Sequence, residues 1–258
     1  MDFMEIRFSG ELPVDRDDVE DALNEALAGI GEVSGAGSGV FGSHLDVDID
    51  PVSAPSEEVM ARVLAVLHGL GLAGLARIRP GDGTDWITVG AAEAVRRAVA
   101  ELRAALPLHH EWLVRNALPP GSPSTTAPEV PQGVGEFLTL ADGATCGDVT
   151  VFAAARAEAM QFYADPVPGA AVALGREEWF CPGVISDEPF FVNRSTGGVW
   201  YFPDTGVAWW MSAIFEKAAE DFATFFLEWM AGPEYVRISA TGPADPWADV
   251  LRHVGRLR

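Results

Sequence analysis

The stretch "SHLDVDIDP", residues 43–51, alternates apolar and polar residues without a slip. Successive side chains on a strand point to opposite faces. Leu45, Val47 and Ile49 therefore share one face, and Asp46, Asp48 and Asp50 share the other. Such a strand needs apolar cover on one side only, so it belongs in a sheet backed by helices. Its neighbours fit that requirement. "MEIRFS", residues 4–9, alternates in the same way. "RDDVEDALNEALAGIG" has helical spacing, with Val19, Leu23, Ala26, Leu27 and Ile30 on one face, acids in its first turn and Gly31 to end it. "GEVSGAGSGVFGS" is glycine-rich and is expected to turn the chain. "PSEEVMARVLAVLHGLG" predicts a second helix capped by Ser56, and "LAGLARIRP" a last short strand. The order predicts a small α+β domain of the split βαβ kind (βαββαβ-like) over about residues 1–80.

The rest of the chain reads as a connector and a second α+β domain. "GDGTDWITVG" is a break. Residues 91–118 predict a helix bent at Pro107, giving a helical connector over 81–118. "PPGSPSTTAPEVPQG" is a loop or linker by composition. The second domain is expected over 119–237, with a mainly antiparallel sheet covered by helices and a weakly determined tail over 238–258. "DVTVFA" predicts a strand, "AAVALGREEWFC" a strand running toward a loop, and "PFFVNRSTGGVWYF" a hairpin turning at "STGG". "GVAWWMS" is strand or bend. "SAIFEKAAEDFATFFLEWMAG" predicts one long amphipathic helix burying Phe215, Ala219, Phe222, Phe226 and Trp229.

Charge narrows the partners. The 258 residues hold 17 Lys and Arg against 38 Asp and Glu, a formal charge of −21. Nucleic acid phosphates and anionic membrane surfaces repel such a chain, so a macromolecular partner is expected to be a basic protein. Residues 1–60 alone hold 15 acids against Arg7 and Arg16, a charge of −13. The aspartate row is thus either a solvated face or a docking face. The start of the chain has no signal-peptide pattern, and Arg62, His68 and glycines interrupt the apolar stretch 59–78. A cytoplasmic protein is expected.

Catalytic and metal patterns are weak. Asp46, Asp48, Asp50 and Glu57 match the first, third, fifth and twelfth positions of a calcium-binding loop. Pro51 stands where that loop needs glycine, and the stretch before Asp46 reads as strand. "HHEW" places His109 and His110 side by side, where helical neighbours point apart. Cys146 and Cys181 are too far apart for a metal motif and are expected as buried thiols. Glu177 and Glu178 form an acid pair that a surface loop explains. Trp209 and Trp210 are adjacent, so one faces out if the other faces in, and an exposed Trp is a good interface anchor. The partner-binding candidates are Asp46, Asp48, Asp50, Glu177, Glu178, Asp187, Glu188, Trp209 and Trp210. No catalytic residue, metal ligand or cofactor is assigned.

From about residue 119 to 232 the chain resembles the SUKH superfamily, also called SMI1/KNR4-like. The resemblance is carried by "VPQGVGEFLTLADGA", "VTVF", "VALGREEW", "PFFVNRSTGGVWYFPDTG" and "AEDFATFFLEWM", taken in order. Asp142-Gly143, Gly175, Thr196-Gly197 and Phe222, Phe225 and Phe226 stand at the matching places. "EEWFCPGVISDE" departs from the family pattern, being long and apolar where a short acidic turn is usual. The resemblance implies a non-catalytic protein-binding module. Many bacterial members are immunity proteins that neutralise polymorphic toxins, commonly nucleases or deaminases. A regulatory or scaffold module with a non-toxin partner is the second reading, and a metal-dependent enzyme using the "DVDID" acids is the third.

Overall fold

The structure, a computed structural model, describes residues 2–8, 12–39, 42–81, 86–122 and 130–257. The chain divides into two compact units, Met1–Ala94 and Val95–Arg258. Both are α+β with antiparallel sheets.

Unit 1 contains β1 (Phe3–Phe8), α1 (Arg16–Ala26), β2 (Gly31–Gly39), β3 (Gly42–Ile49), α2 (Ser56–Gly69), β4 (Ala76–Pro80) and β5 (Ile87–Thr88). Its five strands lie in the order β2-β3-β1-β4-β5, so the βαββαβ pattern is present with β5 added at one edge. Ile6 of β1 stands opposite Leu45 on one side and Ile78 on the other. These residues, with Met4, Phe8, Val47 and Ile49, pack on Val19, Leu23 and Leu27 from the α1 side and on Val59, Val63 and Leu67 of α2. The alternation in β3 is therefore realised, with the aspartate row on the face away from the core.

Two local expectations are corrected. Helix α1 stops at Ala26, the chain turns at Gly29 with φ +81°, and Gly31 opens β2 rather than closing the helix. Residues 31–39 of the glycine-rich run are thus an outer strand, and the expected reversal falls between Gly39 and Gly42, which pair across it. A Cβ on Gly31 would lie 2.6 Å from the Asp48 carbonyl oxygen, and one on Gly37 would lie 2.3 Å from the His44 ring. Glycine is what allows this strand to sit against β3. At the start of α2, Pro55 holds the cap position and Ser56 is the first helical residue. Residues 82–85 of the expected break lie outside the described residues.

Unit 2 begins inside α3 (Ala91–Ala105), whose helix breaks at Pro107 before α4 (His110–Arg115). There follow α5 (Gln132–Leu140), β6 (Ala144–Cys146), β7 (Val149–Val151), α6 (Ala154–Ala157), β8 (Trp179–Ile185), β9 (Glu188–Asn193), β10 (Val199–Tyr201) and β11 (Glu216–Ala219). The chain ends in α7 (Phe222–Phe225), which widens into a π-turn through Met230, then α8 (Tyr235–Ile238) and α9 (Pro246–His253). The six strands form a meander, β11-β10-β9-β8-β7-β6. Of the expected linker, residues 123–129 lie outside the described residues.

The expected connector is divided: through Ala94 it belongs to unit 1, and from Val95 on it is part of this unit's core. Val95, Ala98, Val99 and Leu102 of α3 and Trp112 of α4 join Phe137, Phe190, Phe222, Phe225 and Phe226 in one apolar cluster. The tail is part of it too. Asp245 accepts the backbone N–H of Trp247 at 2.7 Å and caps α9, whose Trp247, Val250 and Leu251 are fully buried.

The sheet of unit 2 is covered on both faces. Phe180, Phe190, Val192 and Tyr201 face the helices. Trp179, Cys181 and Phe191 face a second apolar cluster with Ala164, Leu174, Phe202 and Trp209. The strand expected within "AAVALGREEWFC" is corrected, because it begins only at Trp179 and continues through "WFCPGVI". It is the strand β8, and a strand buried on both sides reads as an unbroken apolar run. Its register shifts between Phe180 and Gly183, where Pro182 sits and where a Cβ on Gly183 would meet the Thr150 carbonyl oxygen at 2.0 Å.

The long final helix is also corrected. Glu216–Ala219 pairs with β10 as an edge strand. Asp221 then accepts the N–H of Thr224 at 2.7 Å and starts the helix there. Phe215 accordingly lies in the Trp179 cluster, while Phe222, Phe226 and Trp229 lie in the helix-side core. The hairpin at "STGG" forms as expected. Asn193 Oδ1 accepts the N–H groups of Ser195 and Thr196, both at 3.0 Å, and Gly197 takes φ +77°.

Candidate functional site

Residues 207–214 of unit 2 carry the most concentrated exposed apolar surface among the described residues. Trp209, Trp210 and Met211 form a single 3-10 turn. Side chains in such a turn step by about a third of a circle, so neighbours point in different directions. Trp209 goes inward, its ring 6.2 Å from Phe191 and 5.7 Å from Phe202. Trp210 stays 44% exposed and meets the Trp209 ring edge-on at 5.9 Å. Val207, Met211 and Ile214 are exposed beside it in sequence, and Phe162 is exposed while stacked on Tyr163 at 4.3 Å. Tyr163 in turn lies 6.4 Å from Trp209, which links Phe162 to the tryptophan turn.

This surface is pinned from beneath. The N–H of Trp209 donates to Glu188 Oε2 at 3.2 Å, and the N–H of Ala171 donates to the Trp210 carbonyl at 3.2 Å. Ser212 is buried and its hydroxyl accepts the N–H of Ile214 at 3.2 Å. The tryptophan turn is held in place before any partner arrives, which lowers the ordering cost of docking.

The acids divide into separate groups. Asp187 and Glu188 stand at the β8–β9 turn, where Ser186 takes φ +55° and its N–H donates to the Asp148 carbonyl at 2.6 Å. Their charges join burial and Cys181 in pushing the Tyr163 hydroxyl above its ordinary pKa, burial being the largest cause. Glu177 and Glu178 precede β8 at its other end, because Trp179 pairs with Asn193 and Ile185 with Glu188. A strand of that length puts the two acid pairs about 20 Å apart. Residues 209–215 run between the two ends, from Trp209 at Glu188 to Phe215, whose ring lies 5.1 Å from Trp179. Glu177 is exposed. Glu178 holds local structure, its carbonyl accepting the Arg194 N–H at 2.8 Å and its carboxylate the Asn193 amide at 3.4 Å.

The aspartate row of unit 1 is a third group. Asp48 is exposed, and Asp46 is half-buried with its carboxylate 3.9 Å from His44 Nε2. Asp50 ties its own turn, accepting the Ser53 hydroxyl at 2.5 Å and the Val52 N–H at 3.0 Å. These bonds hold its carboxyl below the ordinary range, the Ser53 hydroxyl being the main cause. Asp48 and Asp50 line a shallow, open depression with Gly29, Ile30, Gly31, Glu32 and Ile49. Among the described residues no group of three His, Cys, Asp or Glu side chains is placed to hold a metal ion. His109 is not paired with His110; its ring lies 4.2 Å from Trp112 and 6.5 Å from His253.

Both thiols are deep in the sheet. Burial pushes Cys181 up to about 12 and Cys146 further still, so neither supplies a thiolate near neutrality.

Sequence reasoning missed two features. Val207, Met211, Ile214 and Phe162 were not singled out, although "VAWWMSAI" is an apolar run that fits neither helical nor strand spacing. The other is on the open face of the unit 1 sheet. Glu5 is buried there and accepts from Arg7 Nε at 2.5 Å and from Arg79. The guanidiniums of Arg7, Arg77 and Arg79 lie 4.8, 5.4 and 5.4 Å from the Trp86 ring centre. Only the strand register brings these residues together.

Comparison with family models, curated proteins and solved structures returned no match for this chain. Among the described residues no helix is long and apolar enough to cross a membrane.

Proposed function

We propose that this chain is a non-catalytic immunity protein of the cytoplasm, which neutralises a basic toxin domain, a nuclease or deaminase, by covering it. One observation carries the reading. An exposed Trp210, with Val207, Met211 and Ile214 beside it in sequence, stands on a buttressed turn held to Glu188, in a chain of charge −21. A central aromatic anchor with a polar rim is the anatomy of a protein-binding surface. The acidity suits an enzyme that binds phosphates and is therefore basic, and it favours fast association at low salt. The resemblance of residues 119–232 to the SUKH superfamily supports the same reading.

The test is capture by the tagged chain from its own host, elution with rising salt, and assay of the eluted protein. The expected result is a basic nuclease or deaminase whose activity an equimolar amount of the chain abolishes, with the Trp210→Ala chain failing to do so. A captured enzyme that stays active when saturated with the chain overturns the reading. Capture of a partner without enzymatic activity favours a regulatory module instead.

A further inference from the structure

We infer that the outer edge of β2 in unit 1 receives an extended basic segment of a partner protein as an added strand. This goes beyond the reading of the Trp210 surface and rests on a different unit.

An edge strand presents unpaired backbone N–H and C=O groups, and proteins commonly blunt such edges with charge, proline or brevity. β2 is the outermost strand of its sheet and runs from Gly31 to Gly39. Glu32 is its only charged residue, and it holds no proline. Asn24 Oδ1 accepts the Val33 N–H at 2.8 Å, which covers the edge at that residue. Beyond it, Ser34 and Ala36 are exposed.

The glycines do more than permit pairing with β3. On the face away from the core, Gly35 stands opposite Asp46 and Gly37 opposite His44. A Cβ on Gly35 would lie 3.0 Å from Asp46 Oδ2, so the Asp46 carboxylate already leans over β2 toward the edge. Glu32 stands opposite Asp48 on the same face, and both line the acidic depression at the start of β2. A strand added at this edge would have side chains on that face next to Glu32, Gly35 and Gly37. Behind Gly37 stands the His44 ring, but at Gly35 no side chain separates the added strand from the carboxylates of Asp46 and, behind Glu32, Asp48. Lysine or arginine on alternate positions reaches them, while main-chain bonds supply the pairing. A second copy of this chain is the wrong occupant, since it brings the same −13 in residues 1–60.

The test uses the full chain and a synthetic peptide that alternates lysine with valine and threonine. Amide hydrogen exchange at Ser34–Gly37 is read by NMR, and affinity by calorimetry. The peptide is expected to slow exchange at those amides. A peptide with glutamate for lysine is expected to have no effect, and backbone N-methylation along one edge to abolish the protection. The combined Glu32→Gln, Asp46→Asn and Asp48→Asn chain is expected to bind about ten-fold more weakly, as three ion pairs at a solvent-facing edge imply. Asp50 is left in place because it ties its own turn. The salt dependence of the unaltered chain gives the same reading without any substitution. No binding, binding without protection of β2, or equal binding of the acidic peptide overturns the inference. Protection without peptide that grows with protein concentration also overturns it, in favour of self-pairing. A chain that binds the peptide at β2 yet inhibits no enzyme retains this inference and removes the immunity reading.

Discussion

The indole Nε1 of Trp247 donates to the carbonyl oxygen of Met230 at 2.6 Å. Met230 ends the π-turn that follows α7, and a widened turn leaves carbonyls without their usual helical partner. Trp247, fully buried on α9, therefore ties the end of the chain to the helix-side core of unit 2. Trp247→Phe keeps most of the volume and removes the donor. It is expected to cost about 1–3 kcal/mol, the range for a buried acceptor left unpaired. Trp247→Ala is expected to cost more, about 3–5 kcal/mol. Urea unfolding of both variants checks the ranking; no loss in Trp247→Phe beside a large loss in Trp247→Ala would mean that packing alone holds α9.

Glu5 is the hub of the open face of unit 1, with Arg7 and Arg79 on its two oxygens. Glu5→Ala leaves those guanidiniums facing each other over Trp86. Because Arg7 is well exposed, water offsets part of the loss, and about 1–3 kcal/mol is expected rather than the full cost of a broken buried pair. Trp86 fluorescence is expected to change in the same variant. An unchanged spectrum with unchanged stability would remove the cluster as a stabilising feature.

Asp50 predicts a dependence on acid. Its folded pKa lies below the ordinary value of 3.8, so the unfolded chain binds the proton more readily. Its stabilising contribution is present above 3.8 and is lost as pH falls through the lower folded value. Ser53→Ala removes the main cause and is expected to move the Asp50 titration, followed by carboxyl NMR, up toward 3.8. A titration that does not move would place the cause elsewhere.

Cys181 and Cys146 are expected to resist alkylation at pH 8 in the folded chain and to react once urea unfolds it. Both are buried, and Cys181 Sγ lies 3.4 Å from the Gly183 carbonyl oxygen. Mass spectrometry after iodoacetamide treatment reads the outcome. Rapid labelling of Cys181 in the folded protein would mean that the Trp179 cluster opens readily, and of Cys146 that the helix-side core does.

Trp210 and Trp209 are expected to separate stability from binding. Trp210→Ala should change stability by less than about 0.5 kcal/mol, as for an exposed side chain, while weakening the proposed partner by about 2 kcal/mol or more. Trp209→Ala should destabilise unit 2 itself, since its ring packs on Phe191 and Phe202. Loss of binding in the second variant only would remove the exposed patch from the interface.

Local patterns made much of this legible. The aspartate alternation placed β3 and named its buried face, and helical spacing found α1 and α2. The adjacency of Trp209 and Trp210 implied that one would be exposed. The candidate surface itself was half legible. Trp209, Trp210 and Glu188 come together, but Glu177 and Glu178 stand at the far end of β8, and Phe162 joins from a distant segment. Sequence distance carries no information about which end of a hairpin a residue reaches.

The sequence by itself determined the periods: which residues alternate, which recur at helical spacing, and where acids gather. Those follow from backbone geometry within a few residues. The tertiary structure decided what lies across from each residue. The glycine run became β2 because β3 offers it a partner and its side chains need the space. "EKAA" became a strand because β10 offers an edge, although its composition suits a helix. The "WFCPGVI" run became β8 because unit 2 covers its sheet on both faces. Pairing and cover are long-range, and their free energy outweighs the small local preferences of a few residues.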